Sequence, residues 1–554
     1  MRKVVLLSGR TCNGKSELAK LLHQRYDFHI LRTSEYLCEV AKKRELLTDR
    51  VSLQSLGDTL DEETSHGWVI DLVKKTDREL EINVPMVVDN IRTAKQLAYF
   101  RQQYSYKAIH VHLYARSETL AKRYLKRQER HEEDSDPTAY EEADLIKSQE
   151  DILSFKKDAD VRIFTERTDT EDTFVRVAAH LGLYAAPDRQ CVDVLVGGQY
   201  GSEGKGHVAA YLAREYDVLM RVGGPNAGHT VASESGTFVY SQLPSGCRDN
   251  QADILIGPGA TIDVPKLLKE IENCKIESRR LYIDPQVMTI GDDDKAEEKH
   301  MQEDIGSTGS GSGAAAAKRI MGRLSGSNRA CLARDVEDLK PYLHSTHERL
   351  QSAFFRGEFV LLEGTQGSGL SLYHGAYPYV TSRDTNVSGC LAEAGIPPRR
   401  IRKVLMVVRR TPIRVESPKD GNSGPLKHPT NFKTIAAEAK LEHDLTKAEL
   451  TSTTKRPRRV GWFEWETFRH ACALNSPTDI ILTFADYHKA ENQNARRFEQ
   501  LHEDTIKFIE ELERVAQAPV SMINTRFPHG EDKPMDLRTV IDRRSWRART
   551  RRSH

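Results

Sequence analysis

The sequence lacks the features that are typical of membrane, secreted and zinc-binding proteins. Its eight cysteines are scattered over 554 residues without a C-x-x-C pair or a cluster with histidine, so neither a zinc site nor a disulfide framework is expected. No apolar run approaches the roughly 20 residues of a membrane-spanning helix. The run VVLL near the N-terminus is too short for a signal peptide. We therefore expect a cytoplasmic protein that contacts no membrane.

An excess of charge of one sign is also missing. The chain has 82 Lys and Arg residues against 81 Asp and Glu residues, a formal net charge of +1. This balance excludes a basic nucleic-acid-binding surface that extends over the whole chain. The C-terminal segment from Arg538 is rich in arginine and has no core pattern. We expect this tail, taken as 541–554, to be disordered or bound to a partner. Nucleic acid is not an expected partner of the chain, and this tail is the one exception left open.

Two segments share the pattern of a short apolar strand, a glycine-rich turn and a helix. Val4–Leu7 precedes the first turn, and Val192–Val196 precedes the second. Strand, glycine loop and helix form the first unit of a parallel α/β sheet. The pattern predicts an α/β protein of two domains, each a mostly parallel sheet flanked by helices. A polar segment containing proline at 184–190 suggests domains at 1–185 and 190–540.

The first glycine-rich turn has the spacing of a phosphate-binding loop. Gly9–Ser16, GRTCNGKS, fits G-x-x-x-x-G-K-[ST]. Gly9 and Gly14 let main-chain N–H groups surround the phosphates of a nucleotide, Lys15 balances their charge, and the hydroxyl of Ser16 can hold Mg²⁺. The position directly between a strand and a helix favours this interpretation over a chance match.

Two later features are consistent with phosphoryl transfer. The buried strand VPMVVDNIR ends in Asp89 and Arg92. Asp89 lies either near the metal or acceptor, or at a helix N-terminus as a cap. In KRYLKRQERH, Arg123 and Arg127 lie on one helical face. That face is either a lid that closes over phosphates or a solvated basic surface.

With these motifs and the segment LQSLGDTLDEET, residues 1–180 resemble the nucleoside monophosphate kinase superfamily, especially its deoxynucleoside monophosphate and dephospho-coenzyme A kinase types. The resemblance implies a P-loop NTPase-like fold and phosphoryl transfer to an acceptor. Because only the phosphate loop is highly specific, the identity of the acceptor stays open.

The second half of the chain contains several motifs in a fixed order. They are GGQYGSEGKG (197–206), RVGGPNAGHT (221–230), QLPSG (242–246), IGSTGSGSG (305–313), LLEGTQG (361–367), HGAYPYVTSRDT (374–385) and TTKRPRRVGW (453–462). This ordered set resembles the adenylosuccinate synthetase family over residues 192–540. The resemblance implies a homodimeric ligase that joins L-aspartate to C6 of a 6-oxopurine nucleotide. A nucleoside triphosphate, usually GTP, first phosphorylates the 6-oxygen with the help of Mg²⁺.

The resemblance also implies roles for individual residues. His229 is the expected acid that donates a hydrogen bond to the 6-oxygen, and Lys205 is expected to contact the transferred phosphate. The carbonyl of Gly228 and the hydroxyl of Ser202 are candidate metal ligands. Further expected nucleotide and phosphate contacts are Gly201, Glu203, Gly204, Gly206 and Asn226.

The acceptor nucleotide and the amino acid have their own expected residues. The residues that match the family's positions for binding the acceptor nucleotide are Thr308, Gly309, Gln366, Thr381 and Arg456. Gln366 is also an expected catalytic residue. Thr453, Thr454, Arg456 and Arg458 match the aspartate-binding loop. Paired guanidinium groups suit a dicarboxylate because Arg binds carboxylates through two hydrogen bonds. The glycine-rich stretch 306–313 is either a phosphate-binding loop or a flexible linker.

The loop departs from the family pattern at one position. The usual G-D-E-G-K-G is here G-S-E-G-K-G, so Ser202 replaces the aspartate that removes the N1 proton of the purine. A hydroxyl is too weak a base for that role. A branch of the family that lacks this Asp acts on (d)GMP, whose 2-amino group lies beside N1. Three interpretations stay open: (d)GMP as acceptor, IMP as acceptor, and decay to a nucleotide sensor in which only the kinase domain is active.

A second departure concerns the phosphate donor. The guanine-recognising segment T-K-x-D is T-F-A-D at 483–486, so Asp486 is present whereas Phe484 replaces the lysine that flanks the base. GTP and ATP or dATP are therefore both open as donors. Arg319 and Arg323 are candidates for the arginine that a partner subunit supplies to the substrate phosphate in dimers of the family.

Overall fold

The computed structural model describes residues 2–81, 84–102, 106–129, 155–233, 236–323, 329–419, 421–442, 444–450, 456–526 and 539–548. They belong to two compact units, 1–185 and 186–554, which are described separately below. Among the helices of the described ranges, none combines the length and the apolar character that a membrane crossing requires.

The first unit is built on a parallel sheet. In its described part five strands pair in the order β2-β3-β1-β4-β5. They are β1 (Arg2–Ser8), β2 (His29–Leu31), β3 (Met86–Val88), β4 (Tyr106–Tyr114) and β5 (Val161–Phe164). The helices are α1 (Lys15–Tyr26), α2 (Thr33–Lys43), α3 (Arg50–Glu63), α4 (Trp68–Glu79), α5 (Ala94–Arg101), α6 (Ser117–Glu129) and α7 (Thr170–His180). The apolar run of β1 is fully buried, which places the loop that follows it at the carboxyl edge of the sheet.

The second unit contains a larger sheet. Nine strands in its described ranges pair in the order β12-β10-β7-β14-β6-β15-β19-β20-β21, all parallel except β21. These are β6 (Val192–Gly197), β7 (Val218–Arg221), β10 (Asp253–Ile256), β12 (Leu281–Ile283), β14 (Val360–Glu363), β15 (Ile401–Arg409), β19 (Asp479–Thr483), β20 (Val520–Asn524) and β21 (Val540–Asp542). The central strands are buried on both faces, as expected for a parallel sheet covered by helices.

Smaller sheets and helices complete this unit. The short strands are β8 (His229–Ser233) with β9 (Gly236–Tyr240), β11 (Thr261–Ile262) with β13 (Met288–Thr289), and β16 (Ile413–Val415) with β17 (Pro429–Thr430) and β18 (Arg458–Gly461). The helices are α8 (Lys205–Ala213), α9 (Val264–Cys274), α10 (Asp292–Glu297), α11 (Lys299–Ile305), α12 (Ser312–Met321), α13 (Thr346–Arg356), α14 (Val387–Ala394), α15 (Phe432–Ala439), α16 (Leu445–Ala448), α17 (Trp465–Asn475) and α18 (Glu503–Ala516).

The predicted fold class is confirmed, and both strand, loop and helix patterns are present. β1 leads through the first glycine loop into α1, and β6 leads through the second into α8. The residue before each helix is a glycine in the left-handed region, Gly14 with φ 87° and Gly204 with φ 87°. Residues with a side chain adopt this conformation only at a cost, which explains why both motifs have glycine at the start of the helix.

The structure corrects the prediction for the arginine-rich tail. Residues 539–548 are part of the domain, since β21 adds an antiparallel strand to the edge of the large sheet. Arg544 is buried and donates to the carboxylates of Glu215 and Asp542. The arginine-rich composition concealed this role because Glu215, the buried carboxylate that Arg544 meets, is 329 residues away. Residues 549–554 lie outside the described part of the chain.

Candidate active site

The glycine-rich loop 197–206 folds around the carboxylate of Glu203. This buried side chain accepts hydrogen bonds from the main-chain N–H groups of Gln199 (3.1 Å) and Gly201 (2.8 Å), and from Nζ of Lys205 (2.6 Å). The sequence predicts a nucleotide contact for Glu203, whereas the structure turns its carboxylate into the loop. There it fixes the shape of the loop and holds Lys205 at the start of α8.

His229 lies against this loop. A Cβ atom added to Gly206 would lie 2.5 Å from the Cβ of His229, so a residue with a side chain does not fit there. Nδ1 of the imidazole is 2.5 Å from Oε1 of Glu363 on β14. The other carboxylate oxygen accepts from the main-chain N–H of Ser245 (2.7 Å). Glu363 thus binds Nδ1, which leaves Nε2 as the nitrogen that can act on a substrate.

The electrostatics of this pair define its protonation before substrate binds. Burial lowers the pKa of His229 to about 4, the guanidinium of Arg221 acts in the same direction, and Glu363 opposes both. Burial also works against ionisation of Glu363, but the imidazole and Arg221 outweigh it and lower the pKa of this carboxyl to about 2. At neutral pH the imidazole is therefore neutral beside an ionised carboxylate. Anionic phosphates that enter the site will raise the pKa of His229 and favour its acidic form.

Ser202 lies beside a buried cluster of charges. Its main chain has φ 53°, and Nη2 of Arg458 is 3.4 Å from its exposed hydroxyl oxygen. Arg458 is held by the carboxylate of Glu449 (2.7 Å), which also accepts from the guanidinium of Arg409 (2.6 Å) and from the hydroxyl of Tyr487 (2.9 Å). One buried carboxylate thus orients two arginines next to the position where the family has an aspartate.

A cavity of about 440 Å³ adjoins this cluster. Glu449, Arg458 and Lys433 are among the residues that line it. The cavity is large enough for a small amino acid, and its wall provides cationic groups that can pair with carboxylates.

Some residues of the predicted aspartate-binding loop and of the predicted lid cannot be compared with the structure. Thr453 and Thr454 lie outside the described residues, and Arg456 is half-buried at the start of the next described range. In the first unit Arg127 lies on α6, and its side chain is not described.

Two predicted acceptor residues come together. Nε2 of Gln366 donates to the hydroxyl oxygen of Thr381 over 2.8 Å. Gln366 has φ 64°, and its Cα lies 3.8 Å from where a Cβ of Gly201 would be. The acceptor residues therefore lie directly beside the glycine-rich loop.

The glycine-rich stretch 306–313 is ordered through a carboxylate that the sequence did not indicate. Glu298 accepts from the main-chain N–H groups of Gly311 (2.7 Å), Gly313 and Ala314 (3.0 Å). Glu298 thus occupies these amides at the start of α12, and in this arrangement they are not available to a phosphate.

The neighbours of the same stretch are polar. Nε2 of Gln302 donates to the carbonyl oxygen of Thr308 (2.9 Å), and the side chain of Asn226 accepts from the hydroxyls of Ser310 and Ser312. The N–H of Gly309 donates to the hydroxyl of Ser307 (3.2 Å). These hydrogen bonds favour a preformed loop over a flexible linker.

The segment predicted to recognise the donor base packs on the other side of the loop. The ring of Phe484 would lie 3.6 Å from a Cβ at Gly204. The guanidinium of Arg409 lies 4.0 Å from the ring centroid of Phe484, which is a cation–π contact. Asp486 follows in the same turn and is fully buried. Residues predicted for the donor, for phosphoryl transfer and for the acceptor, namely Phe484, His229 and Gln366, thus lie around one loop.

The phosphate loop of the first unit has its lysine and carboxylate in place. Nζ of Lys15 donates to the carbonyl oxygens of Gly9 (2.7 Å) and Arg10 (3.1 Å). Burial lowers the pKa of Lys15 to about 8, and the carboxylate of Asp89 opposes this shift. Asp89 accepts two hydrogen bonds of 3.0 Å from Thr33, the first residue of α2. Both interpretations of Asp89 are therefore consistent with its position.

The two arginines of this unit make different contacts. Arg123 donates to the carbonyl oxygen of Thr165 (2.7 Å) and lies 3.5 Å from the carbonyl oxygen of Cys12 in the phosphate loop. Arg92 pairs with Asp58 over 2.7 Å. Arg123 is thus the arginine that contacts the phosphate loop.

Several residues of these sites were missed by the sequence analysis. Glu363 lies within the quoted motif LLEGTQG, which was its only local signal. Glu449 and Glu298 gave none, because they lie outside the quoted motifs and meet their partners, 9 to 40 residues away, only in the folded chain. Asn13 lies inside the phosphate loop, where both polar atoms of its amide are buried without a hydrogen-bond partner among the described residues.

The oxygen atoms of these loops fit magnesium. Mg²⁺ prefers oxygen ligands and usually keeps water and phosphate oxygens, so one or two protein ligands suffice. In the described ranges no group of three or more His, Cys, Asp or Glu side chains is arranged to hold a metal. The exposed hydroxyls of Ser202 and Ser16 and the carbonyl of Gly228 are therefore suited to an ion that arrives with nucleotide phosphates rather than to a preformed metal cage.

Comparison with known proteins agrees with this arrangement. The adenylosuccinate synthetase family model matches residues 194–332 and 325–493, together more than half of the chain, and an AAA domain model matches residues 5–147. Adenylosuccinate synthetase of Methanocaldococcus jannaschii is 37% identical over 340 residues, covering 60% of this chain and 93% of the relative. That of Pyrococcus horikoshii is 36% identical over 365 residues, covering 63% and 98%.

Two solved structures are similar to the second unit. Succinoaminodeoxyadenylate synthetase of cyanophage S-2L, bound to dGMP and to dATP as an energy donor, is 28% identical with a TM-score of 0.51, covering 64% of this chain and 95% of that one. Fully ligated adenylosuccinate synthetase of Plasmodium falciparum is 20% identical with a TM-score of 0.55. The match covers 64% of this chain and 100% of the Plasmodium chain, and it shows that the two share a fold. The chain belongs to the adenylosuccinate synthetase family of ligases, and a kinase-like P-loop domain precedes its ligase domain.

Proposed function

We propose that the ligase domain joins L-aspartate to C6 of a guanine nucleotide, (d)GMP, to give a 2-aminoadenylosuccinate nucleotide. The observation that carries the proposal is Ser202, a small hydroxyl beside Arg458 where the family has a carboxylate. A charged carboxylate facing N1 would crowd the 2-amino group of guanine, whereas a hydroxyl leaves room and accepts a hydrogen bond. The dGMP bound by the phage relative supports the same assignment.

The remaining residues have roles that follow from their geometry. A purine 6-oxygen is a poor leaving group until it is phosphorylated, and His229, oriented by Glu363, donates a hydrogen bond to it during transfer. Lys205 and the loop amides balance the charge of the transferred group. Gln366 orients the acceptor. The terminal phosphoryl group of the donor passes to the 6-oxygen, the nucleoside diphosphate leaves, and the N1 proton passes to water because Ser202 is too weak a base to take it. The neutral amine of aspartate then attacks C6 and loses a proton to water, and inorganic phosphate leaves with the 6-oxygen.

Arginine side chains provide the pocket for the amino acid in this proposal. Arg458 and Arg456 bind the carboxylates of aspartate, and the cavity beside Glu449 accommodates the rest of the molecule. Magnesium, held by Ser202 and Gly228 when bound, neutralises phosphate charge. The same proposal includes a homodimer and a cytoplasmic location.

The acceptor assay tests the proposal directly. With aspartate, Mg²⁺ and ATP, the protein is expected to turn over dGMP or GMP and to use IMP at least about tenfold less well. Ser202→Asp restores a base and crowds the 2-amino group, so it is expected to reverse this preference. The ratio of kcat/KM for the two acceptors is the measurement.

Ser202→Asn is the matched control, because it has the size of Asp without the charge. It is expected to lower the use of dGMP without a gain for IMP. Turnover of IMP alone by the unchanged protein would refute the proposal. Nucleotide binding without turnover of any acceptor would favour the sensor interpretation, in which only the kinase domain is active.

We also propose that residues 1–185 phosphorylate a nucleoside monophosphate related to the ligase product. The position of Lys15 over the phosphate loop, with Asp89 near it and Arg123 beside it, supports this activity. Lys15→Ala is expected to reduce nucleotide phosphorylation at least about 100-fold, since the charge on the transferred phosphate loses its main counterion. Separate assays of both activities on the full chain are the measurement. Equal loss of both activities, or no loss of phosphorylation, would contradict the proposal.

A further inference from the structure

Asp486 is a buried carboxyl group with little hydrogen bonding of its own. It lies in the turn after β19 and has no solvent exposure. Its Oδ2 accepts from Nε2 of Gln493 over 3.3 Å, and Oδ1 has no hydrogen-bond partner among the described residues. An ionised carboxylate in such a place is costly unless it is paired. Oδ1 therefore still lacks a hydrogen-bond partner in the described part of the chain, and burial outweighs the few groups that favour the anion.

Charged and titratable residues lie around Asp486 as well as apolar ones. His488 and Lys489 follow it closely in the chain and are half-buried, and the guanidinium of Arg409 lies over the rings of Phe484 and Tyr487. The neighbouring Phe484 and Tyr487 pack with Phe432 and Ile435 of α15, so this side is apolar. The hydroxyl of Tyr487 is directed to Glu449. Other charged residues on α15 and in the turn 490–494 are exposed: Lys433, Glu438 and Glu491.

One cation acts on the carboxyl group from a distance. Burial raises the pKa of Asp486 to about 7. The hydrogen bond from Gln493, the main-chain N–H groups of Asp486 and Tyr487, and the charge of Arg526, an exposed residue after β20, partly oppose the rise. The replacement of lysine by Phe484 is consistent with this, because an ammonium group nearby would favour the anion.

The protonation of a carboxyl group decides which purine edge it complements. Guanine presents two donors, N1–H and the 2-amino group, which match the two acceptor oxygens of a carboxylate. Adenine presents an acceptor, N1, and a donor, the 6-amino group. These match a neutral carboxyl group, which has one O–H donor and one carbonyl acceptor.

We propose that Asp486 binds the donor nucleotide as a neutral carboxyl group, donating its proton to N1 of adenine and accepting from the 6-amino group. The inference rests on the proposed function only in that the ligase domain takes its phosphate from a nucleoside triphosphate. The protonation state of Asp486 then determines whether the ligase domain prefers an adenine or a guanine nucleotide as phosphate donor. Adenine nucleotides bind better while Asp486 is protonated, and the affinity for guanine nucleotides increases as Asp486 ionises.

The test uses the full chain in a Lys15→Ala background, so that the P-loop domain does not consume the donor. Aspartate is supplied with both dGMP and IMP, and phosphate release is measured with ATP and with GTP from pH 6 to 8.5. The ratio of kcat/KM for ATP over GTP is expected to fall by about tenfold or more across this range. A ratio that does not change with pH would overturn the proposal.

Two variants separate recognition from a structural role. Asp486→Ala is expected to weaken ATP use at least tenfold. Asp486→Asn presents the same donor and acceptor atoms as the neutral acid, so it should rescue most of this loss and remove the pH dependence of donor choice. Thermal melting of both variants checks the fold. Failure of Asn to rescue a folded protein would overturn the proposal.

Direct titration of ATP into the same proteins keeps this inference distinct from the acceptor assignment. If no acceptor is turned over, the proposed ligase function fails, and the pH dependence of the dissociation constant for ATP still decides the role of Asp486. An affinity that weakens above pH 7 in the parent protein, but not in Asp486→Asn, supports it. An affinity with the same pH dependence in both proteins contradicts it.

Discussion

Replacement of His229 by Asn is expected to lower kcat of the ligase reaction by about 10³-fold, with a small change in KM for the nucleotides. The 6-oxygen gains negative charge as it is phosphorylated, and a positioned acid typically contributes 10²–10⁴-fold to such a step. Asn at this position cannot carry the proton that the imidazolium provides. The measurement is steady-state kinetics with a saturating donor, combined with nucleotide binding to show that the site still forms.

Two further variants define this effect. His470→Asn changes an exposed histidine on α17 and is expected to leave kcat unchanged. Glu363→Gln removes the charge that holds Nδ1 and opposes the depressed pKa of His229, so kcat should fall about 10- to 100-fold and its pH profile should shift to lower pH. A His229→Asn protein with kcat within tenfold of the parent would contradict the assignment of the acid.

Glu449→Ala is expected to produce the largest loss of stability. Glu449 is the common partner of Arg409, which is fully buried, and Arg458. Removal of one member of a buried ion cluster leaves an uncompensated charge and typically costs about 3–5 kcal/mol of unfolding free energy. At about 2 °C per kcal/mol for a large domain, Tm should fall by about 6–10 °C. Differential scanning calorimetry of the full chain measures it.

The pH dependence of this loss has a definite sign. Burial works against ionisation of Glu449, but Arg409 and Arg458 outweigh it and lower its pKa from 4.5 to about 2. Its contribution to stability is therefore fully present above pH 4.5 and disappears as the pH falls towards 2. The difference in Tm between Glu449→Ala and the parent protein should shrink over that range.

An exposed ion pair provides the control for this prediction. Glu466 pairs with Lys427 at the surface, and Glu466→Ala is expected to leave Tm nearly unchanged because exposed ion pairs contribute little to stability. If Glu449→Ala and Glu466→Ala have similar melting temperatures, the buried cluster does not stabilise the domain as we infer.

The sequence by itself determined the features that depend on residues close together in the chain. Both glycine loops could be predicted, because a tight turn before a helix needs glycine with positive φ, as Gly14 and Gly204 confirm. The apolar runs that precede them identified the parallel strands. The ordered motifs indicated the ligase family, and His229 could be proposed because it lies within one of them.

Only the tertiary structure decided how the charges are paired. Glu363 meets His229, 134 residues away. Glu298 and Glu449 meet partners 9 to 40 residues away that belong to other loops, strands or helices. The tail gave the wrong prediction for the same reason, since Arg544 is buried against Glu215, 329 residues away. Composition and local spacing describe what a residue can do. What the residue does in the protein depends on its burial and on the opposite charge beside it, and both are set by the folded chain.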